Sequence, residues 1–265
     1  MTEIRKITSR SNARIKAARA IRDGKDQSHI FIEGVRLVEE VLASSVVVVE
    51  AFVSADFGHD NRKTDLYDQL RHRNIAINEV SASVATSLAD TKTTQGIFLI
   101  AERPSYQIDQ ITSSGVALYL SEVNNPANLG AVLRTAAAAS VAGVFLSTAS
   151  CDPYSSRSLR ASMGSAFRIP ICEGADIQTV TKWTKSHDIL ITAVDVSQSK
   201  PYYELDWTKP RLLLFGSEAH GLTAALLDEA DDRIHIPMHQ GVESLNLAVA
   251  CGVVLFEARR SNVKK

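Results

Sequence analysis

Two α/β units in tandem, the second built on a parallel sheet, are what this sequence predicts, and three observations predict it. Short apolar or β-branched runs alternate with segments of helical periodicity along most of the 265 residues. The strand-like runs of the second half are almost continuously apolar, the pattern of strands covered on both faces. Between the halves, Glu102 to Ser114 (ERPSYQIDQITSS) breaks the alternation with Pro, Ser and Asp and reads as a linker. The expected division is a first unit at 1–105, a linker to about 114, and a second unit at 115–265.

In the first unit, residues 11–22 have helical spacing through Ile15, Ala18 and Ile21. A short strand follows at His29 to Glu33, then a helix from Gly34 to Ala43 with Val35, Leu37, Val38, Val41 and Leu42 inward. Val46 to Val53 is strongly β-branched and suits a buried strand. Asn61 to Arg73 is a charged amphipathic helix, Ile75 to Val80 a strand, Ala82 to Leu88 a short helix and Gly96 to Ala101 a strand. In the second unit, strands are expected at Val116–Leu120, Gly143–Ser147, Ile189–Val194, Arg211–Phe215 and Arg233–Ile236, with helices between them. A last helix runs from Leu245 to Arg260 with Leu247, Val249, Ala250, Val253, Val254 and Phe256 at helical spacing, and Ser244 is placed to cap it.

Composition narrows the class. Apolar content of 45% and charged content of 22% are those of a globular chain that buries a core. No apolar run approaches the roughly 18–20 residues needed to cross a bilayer, and the polar, basic start MTEIRKITSRSNARIKAAR has no apolar signal core, so a cytoplasmic protein without a membrane partner is expected. Cys151, Cys172 and Cys251 are odd in number and far apart, which argues for reduced, buried thiols and against a disulfide framework or zinc site. Net charge is −1, yet the first 25 residues hold Arg5, Lys6, Arg10, Arg14, Lys16, Arg19, Arg22 and Lys25 against Glu3 and Asp23. Such a face suits RNA phosphates and a solvated amphipathic helix equally well.

Three polar loops of the second unit follow strands and can gather at one edge of a parallel sheet, where such folds place ligands. The first, SEVNNPANLGAVLRTAAAA, offers Asn128 as a helix cap and Arg134 less than two turns further on, so that both can face the same end of the sheet. An arginine among small apolar residues favours function slightly over a plain surface charge. The second, LLLFGSEAHGLT, flanks Ser217, Glu218 and His220 with Gly216 and Gly221. It is neither GxGxxG nor a P-loop, and Glu218 is a better functional candidate than His220. The third, MHQGVESLN, carries Ser244 and Asn246. No metal-ligand cluster and no GxSxG elbow are present, so the set suits orientation and charge stabilisation of a transfer reaction.

Taken together the loops resemble the SpoU (TrmH-like) branch of the SPOUT RNA methyltransferases. The matching residues are Asn128-x-Gly130-x-x-x-Arg134-Thr135, then Phe215-Gly216-Ser217-Glu218 with Gly221 and Leu222, then Ile236-Pro237-Met238 with Ser244-Leu245-Asn246. The first unit is similar, more weakly, to the family's ribosomal-protein-like RNA-binding domain through FIEGVRLVEEVL and TQGI. Ala219-His220 and Glu243 depart from the usual pattern and bear on substrate choice.

The resemblance implies a SPOUT catalytic domain with a deep trefoil knot, a homodimer formed through it, and no metal. It implies S-adenosyl-L-methionine as donor, S-adenosyl-L-homocysteine as product, and a ribose 2′-hydroxyl in RNA as acceptor, ribosomal RNA of the large subunit before transfer RNA. Carried over by motif, the catalytic set is Asn128, Arg134, Glu218, Ser244 and Asn246, and the donor contacts are Leu214, Gly216, Ile236, Met238, Ser244 and Leu245. The family role of Arg134 is help in deprotonating the 2′-hydroxyl, but a guanidinium is a permanent cation without an acceptor atom and is better suited to gripping the neighbouring phosphate. RNA contacts are expected from Arg134, Arg10 and Arg14, and from Arg157 and Arg160 in SSRSLRASMGSAFRIP, where Arg168 also stands. A non-catalytic RNA-binding or ribosome-assembly factor remains a rival, and a dinucleotide oxidoreductase a distant one for want of the glycine fingerprint.

Overall fold

The structure is a computed structural model and describes residues 4–58, 60–195 and 199–262. It divides into two compact units, Met1–Pro104 with Tyr154–Phe167, and Ser105–Pro153 with Arg168–Lys265.

The first unit runs β1 (Ile4–Ile7), α1 (Ala13–Arg22), β2 (His29–Glu33), α2 (Val35–Leu42), β3 (Val48–Ser54), α3 (Asn61–His72), β4 (Ala76–Val80), α4 (Ala82–Leu88) and β5 (Ile97–Glu102). Its sheet has the order β1-β4-β3-β5-β2, with β1, β4 and β3 parallel and β5 antiparallel to both neighbours. Ile15 and Ala18 of α1 meet Phe31, Phe52 and Phe98 of the sheet in one buried cluster, which is what the helical spacing implied. β1 lay hidden in the basic start because IRKI has only two apolar residues and pairs on one side alone. The arginines there have structural duties. Arg22 donates to the carbonyls of Ser87, Leu88 and Ala89 at 3.0–3.2 Å, and Arg19 to Ser87 at 3.2 Å, so two cations satisfy the C-terminal end of α4.

The second unit runs β6 (Val116–Leu120), α5 (Pro126–Ala138) and β7 (Val144–Leu146), and the chain then returns to the first unit for α6 (Ser156–Ser162). It resumes with β8 (Ile171–Cys172), α7 (Ile177–Ser186), β9 (Leu190–Val194), β10 (Lys200–Pro201), β11 (Arg211–Phe215), α8 (Ala224–Asp228), β12 (Asp232–His235) and α9 (Leu247–Asn262). The sheet order is β10-β12-β9-β11-β6-β7-β8 with every pairing parallel, as the continuous apolar runs required. Sequence reading placed the five longer strands and passed over β8 and β10, which are two residues each. Tyr119, Phe145, Trp183, Ile191, Leu212 and Leu214 form the core on one face. One charge of this sheet is buried, at the start of its central strand: Arg211 donates to Thr192 and to Asp232, both at 2.7 Å, and Lys200 reaches Asp232 at 2.8 Å.

The last helix differs from its expected form. α9 begins at Leu247 and not Leu245, and Asn246 supplies the cap by accepting the Ala248 N–H at 3.0 Å; Ser244 lies outside the helix. Only one face is buried, through Leu247, Cys251, Val254, Leu255 and Ala258, while Val249 and Phe256 are about half exposed at 52% and 50%. Helical spacing grouped both with the buried residues because period alone does not say which turn of an apolar stripe is covered. α9 packs along α5, where Gly252 faces Thr135 and Arg259 donates to Ser140 at 2.7 Å. Cys251 is buried, and burial pushes its thiol far up from the usual range; Cys151 and Cys172 are only half-buried, against expectation.

Candidate active site

β6, β11 and β12 are parallel strands of one sheet, so their carboxyl ends open on the same edge and deliver the three loops together. The second loop is tightened by a two-way backbone bridge, Ser217 N–H to Gly221 at 3.2 Å and Gly221 N–H to Ser217 at 3.0 Å. Gly216 is forced by this turn: a Cβ there would lie 2.0 Å from the Gly221 carbonyl carbon. The Ser217 hydroxyl accepts the His220 N–H at 3.1 Å, so His220 is a turn residue held by its backbone.

The turn aims Glu218 at the first loop. Asn128 Nδ2 donates to Glu218 Oε1 at 2.9 Å, and Asn246 Nδ2 donates to Asn128 Oδ1 at 3.0 Å. The polarity of this chain is dictated from one end. Asn246 Oδ1 is occupied by the Ala248 N–H, so only its Nδ2 can face Asn128; Asn128 must then offer Oδ1 to it and Nδ2 to the carboxylate. One residue from each loop is thus locked in a single orientation from the α9 terminus to Glu218. Asn128 is not the cap that its position suggested. Asn125 caps α5, accepting the Ala127 N–H at 2.9 Å, and this leaves the Asn128 side chain free for the network.

Behind the network lies a cleft of about 630 Å³ whose walls include Asn128, Phe215 to Gly221, His235, Ile236, Met238 and Glu243 to Leu247. Gly216, Ile236, Met238, Ser244 and Leu245 therefore all stand at one cleft, together with Glu218 and Asn246. One expected residue, Arg134, stands elsewhere, and Leu214, expected as a backbone contact, keeps its side chain in the core. Leu214 is fully buried in the sheet core, so only its backbone can serve a ligand. Arg134 is exposed on α5 and is not among the walls, since six residues along a helix turn a side chain well away from Asn128. Asp195 and His235 are walls that motif reading missed. Their only sequence signal was position, one residue past the end of β9 and the last residue of β12.

Charge tells what the cleft would hold. Asp195, Glu218 and Glu243 line it, and no lysine or arginine does among its described walls. A phosphate-bearing dinucleotide would be repelled by such a site, whereas a sulfonium and an ammonium group would be welcomed. Phe215, Ile236, Leu245 and Leu247 add apolar surface for a flat ring, and the strand-end backbone offers polar atoms to its edge. These features fit S-adenosylmethionine.

Most of the residues expected to touch RNA already have partners within the chain. In the first unit Arg14 pairs with Glu50 at 2.8 Å, Arg10 donates to the Ser83 carbonyl at 3.1 Å, Arg160 pairs with Asp90 at 2.8 Å, and Arg157 is exposed on α6.

The SpoU rRNA Methylase family matches residues 115–256, more than half of the chain. The chain belongs to this family. A second match, to the RNA 2′-O ribose methyltransferase substrate-binding domain, covers residues 31–107. An uncharacterized tRNA/rRNA methyltransferase of Synechocystis is 30% identical over 98% of this chain and 95% of its own length. The 23S rRNA (guanosine(2553)-2′-O)-methyltransferase of Bacillus subtilis is 27% identical over 97% of this chain and all of its own. Among solved structures, an AdoMet-bound rRNA methyltransferase from Sinorhizobium meliloti superposes with a TM-score of 0.87 at 28% identity, covering 99% of both chains. This SpoU methylase is accordingly an RNA 2′-O-ribose methyltransferase that uses S-adenosylmethionine, built on the α/β SPOUT fold with a smaller α/β unit before it. No cluster of potential metal ligands occurs among its described residues.

Proposed function

We propose that this enzyme methylates a ribose 2′-hydroxyl of large-subunit ribosomal RNA in the cytoplasm. The observation that carries the reading is the fixed Asn246–Asn128–Glu218 chain at a cleft walled by carboxylates, in a protein that also has a matched substrate-binding unit. Bound in the cleft, S-adenosylmethionine supplies a methyl carbon activated by its sulfonium, and S-adenosylhomocysteine is the product. The ribose oxygen forms a bond to that carbon as the carbon–sulfur bond breaks, its electron pair passing to sulfur. The chain's own residues have three tasks. Gly216, Ile236, Met238, Ser244, Leu245 and the Leu214 backbone hold the donor. Glu218, steadied by Asn128, takes up the hydroxyl proton, and Ser244, on the wall of the same cleft, orients the acceptor oxygen. Arg134 grips the phosphate next to the target ribose, since a guanidinium offers bidentate donors and no acceptor.

Arg134 stands off the cleft of its own chain, and the exposed Val249 and Phe256 form an apolar stripe on α9, the helix that packs on α5. Both support a homodimer formed through the second unit. The placing of β11 between β6 and β9, with α9 against α5, supports a trefoil knot at the same end. Mapping 2′-O-methyl sites in ribosomal RNA with and without the protein tests the acceptor. Loss of one site in the large subunit is expected, and a site in transfer RNA instead would overturn that choice. A titration without donor binding would leave a non-catalytic RNA-binding factor.

A further inference from the structure

The first unit contains a cavity of about 400 Å³ that the transfer reaction does not use, lined by Glu33, Gly34, Arg36, Leu37, Thr91, Thr93, Gln95, Arg160 and Met163. We propose that it binds one unpaired nucleotide of the RNA, with the base inside and the flanking phosphates at the rim.

Three features argue for this occupant. The first is a mixed set of donors and acceptors with fixed polarity. Glu33 is buried, and its oxygens accept the Asp90 N–H at 2.8 Å and the Thr91 hydroxyl at 2.5 Å. Each oxygen keeps a second lone pair, so the carboxylate is held in place without being used up. The Val35 N–H donates to Gln95 Oε1 at 2.9 Å, which leaves Nε2 as the end of that amide with hydrogens to offer. A side chain at Gly34, where φ is +98°, would meet Gln95 Oε1 at 2.8 Å, so the glycine is what lets the glutamine close on the helix start. An acceptor and a donor on the wall of one cavity match the edge of a base and not a bare phosphate.

The second feature is the placing of cations. Arg36 is tied to Glu40 at 2.6 Å and Arg160 to Asp90 at 2.8 Å, which orients both guanidiniums while each keeps further donors for phosphate oxygens. The third is an apolar surface for the face of a base. Leu37 supplies one part, and Met163, 43% exposed in a left-handed conformation at φ 53°, supplies another. Met163 is held there because Gly164 abuts α2 so closely that a Cβ would lie 2.6 Å from Glu40 Cγ. An exposed methionine fixed beside two arginines and a buried glutamate is explained by a planar ligand resting against it.

The inference rests on the reading of the chain as an RNA methyltransferase and adds where and how the RNA is read. Its test uses the full-length protein and two fluorescein-labelled RNA hairpins, identical except that one carries a single unpaired nucleotide, compared by anisotropy at one fixed salt concentration. The bulged hairpin is expected to bind about tenfold more tightly, and Gln95→Glu is expected to cut that preference to about twofold, since it keeps the acceptor for Val35 and removes only the Nε2 donors. Arg160→Lys is expected to weaken both hairpins about equally. Equal binding of the two hairpins by the unaltered protein would overturn the proposal, as would an undiminished preference in Gln95→Glu. S-adenosylmethionine binding, measured by calorimetry on the same samples, reports separately on the catalytic reading: its loss in the unaltered protein would sink that reading and leave the hairpin result standing.

Discussion

Asn246 holds two jobs that a pair of substitutions separates. Its Oδ1 caps α9 and its Nδ2 begins the amide chain to Glu218. Asn246→Ala removes both. Loss of a cap costs about 1 kcal/mol, and the exposed bond to Asn128 adds about 0.5 kcal/mol, so the thermal midpoint should fall by roughly 3–6 °C for a chain of this size. Asn246→Asp behaves differently. Aspartate caps a helix about as well as asparagine, so the midpoint should stay within about 1 °C. Its carboxylate has no hydrogen to give Asn128, whose amide would then turn its Nδ2 toward position 246 and its Oδ1 toward Glu218. That places an acceptor against an acceptor and frees the carboxylate from its orientation. Misplacing one oriented polar group in a transfer site costs about 10²–10³ in rate. The assay is single-turnover transfer of labelled methyl to ribosomal RNA, with calorimetric donor binding in parallel. An Asn246→Asp protein that transfers within about threefold of the unaltered enzyme would refute the polarity argument. A midpoint as low as that of Asn246→Ala would refute the capping argument.

Gly216→Ala should abolish donor binding and lower the thermal midpoint, because the added carbon would sit 2.0 Å from backbone and no side chain can yield; normal binding by titration would show that the turn opens freely. Arg211→Met should destabilise by about 2–4 kcal/mol in urea melts, since it strips the buried partner from Asp232. Burial pushes the Asp232 carboxyl up, but Lys200 and Arg211 outweigh this and hold it below the usual carboxylate range. Its stabilising share is therefore full above a pH of about 4 and is lost as the pH falls through the depressed value, so Arg211→Met and the unaltered protein should converge in stability toward acid pH. On the proposed homodimer, Phe256→Asp should leave the fold intact and halve the mass seen by light scattering; an unchanged mass would remove the α9 stripe from the proposed dimer surface.

Most of the architecture was legible because period and composition act locally. Apolar or β-branched runs of three to six residues marked most of the longer strands, and Pro126, Gly216 and Pro237 marked the loops at their ends. What local patterns could not settle was who caps and who reaches. Asn125 and Asn128, or Ser244 and Asn246, are equally good caps by type, and the choice between them is made by partners 90 and 118 residues away in sequence. For the same reason Asp195 joined the cleft unannounced, since a lone acid after a strand carries no spacing signal. Arg134 lay on the expected helix but off the expected face, a matter of a few residues' rotation about the helix axis.

The return of Tyr154–Phe167 to the first unit bears on how this protein can be cut and recombined. α6 packs on β2, Arg160 binds Asp90, and Gly164 closes on α2, so a fragment ending near residue 105 would leave these surfaces bare. The two halves are consequently not interchangeable cassettes, although the sequence reads as two blocks and a linker. Grafting the first unit onto another catalytic core would succeed only if that core also supplied the fourteen-residue excursion between its second and third strands. Exchange among relatives should accordingly be tolerated in the remaining loops of either half, and resisted at the junctions around residues 153 and 168.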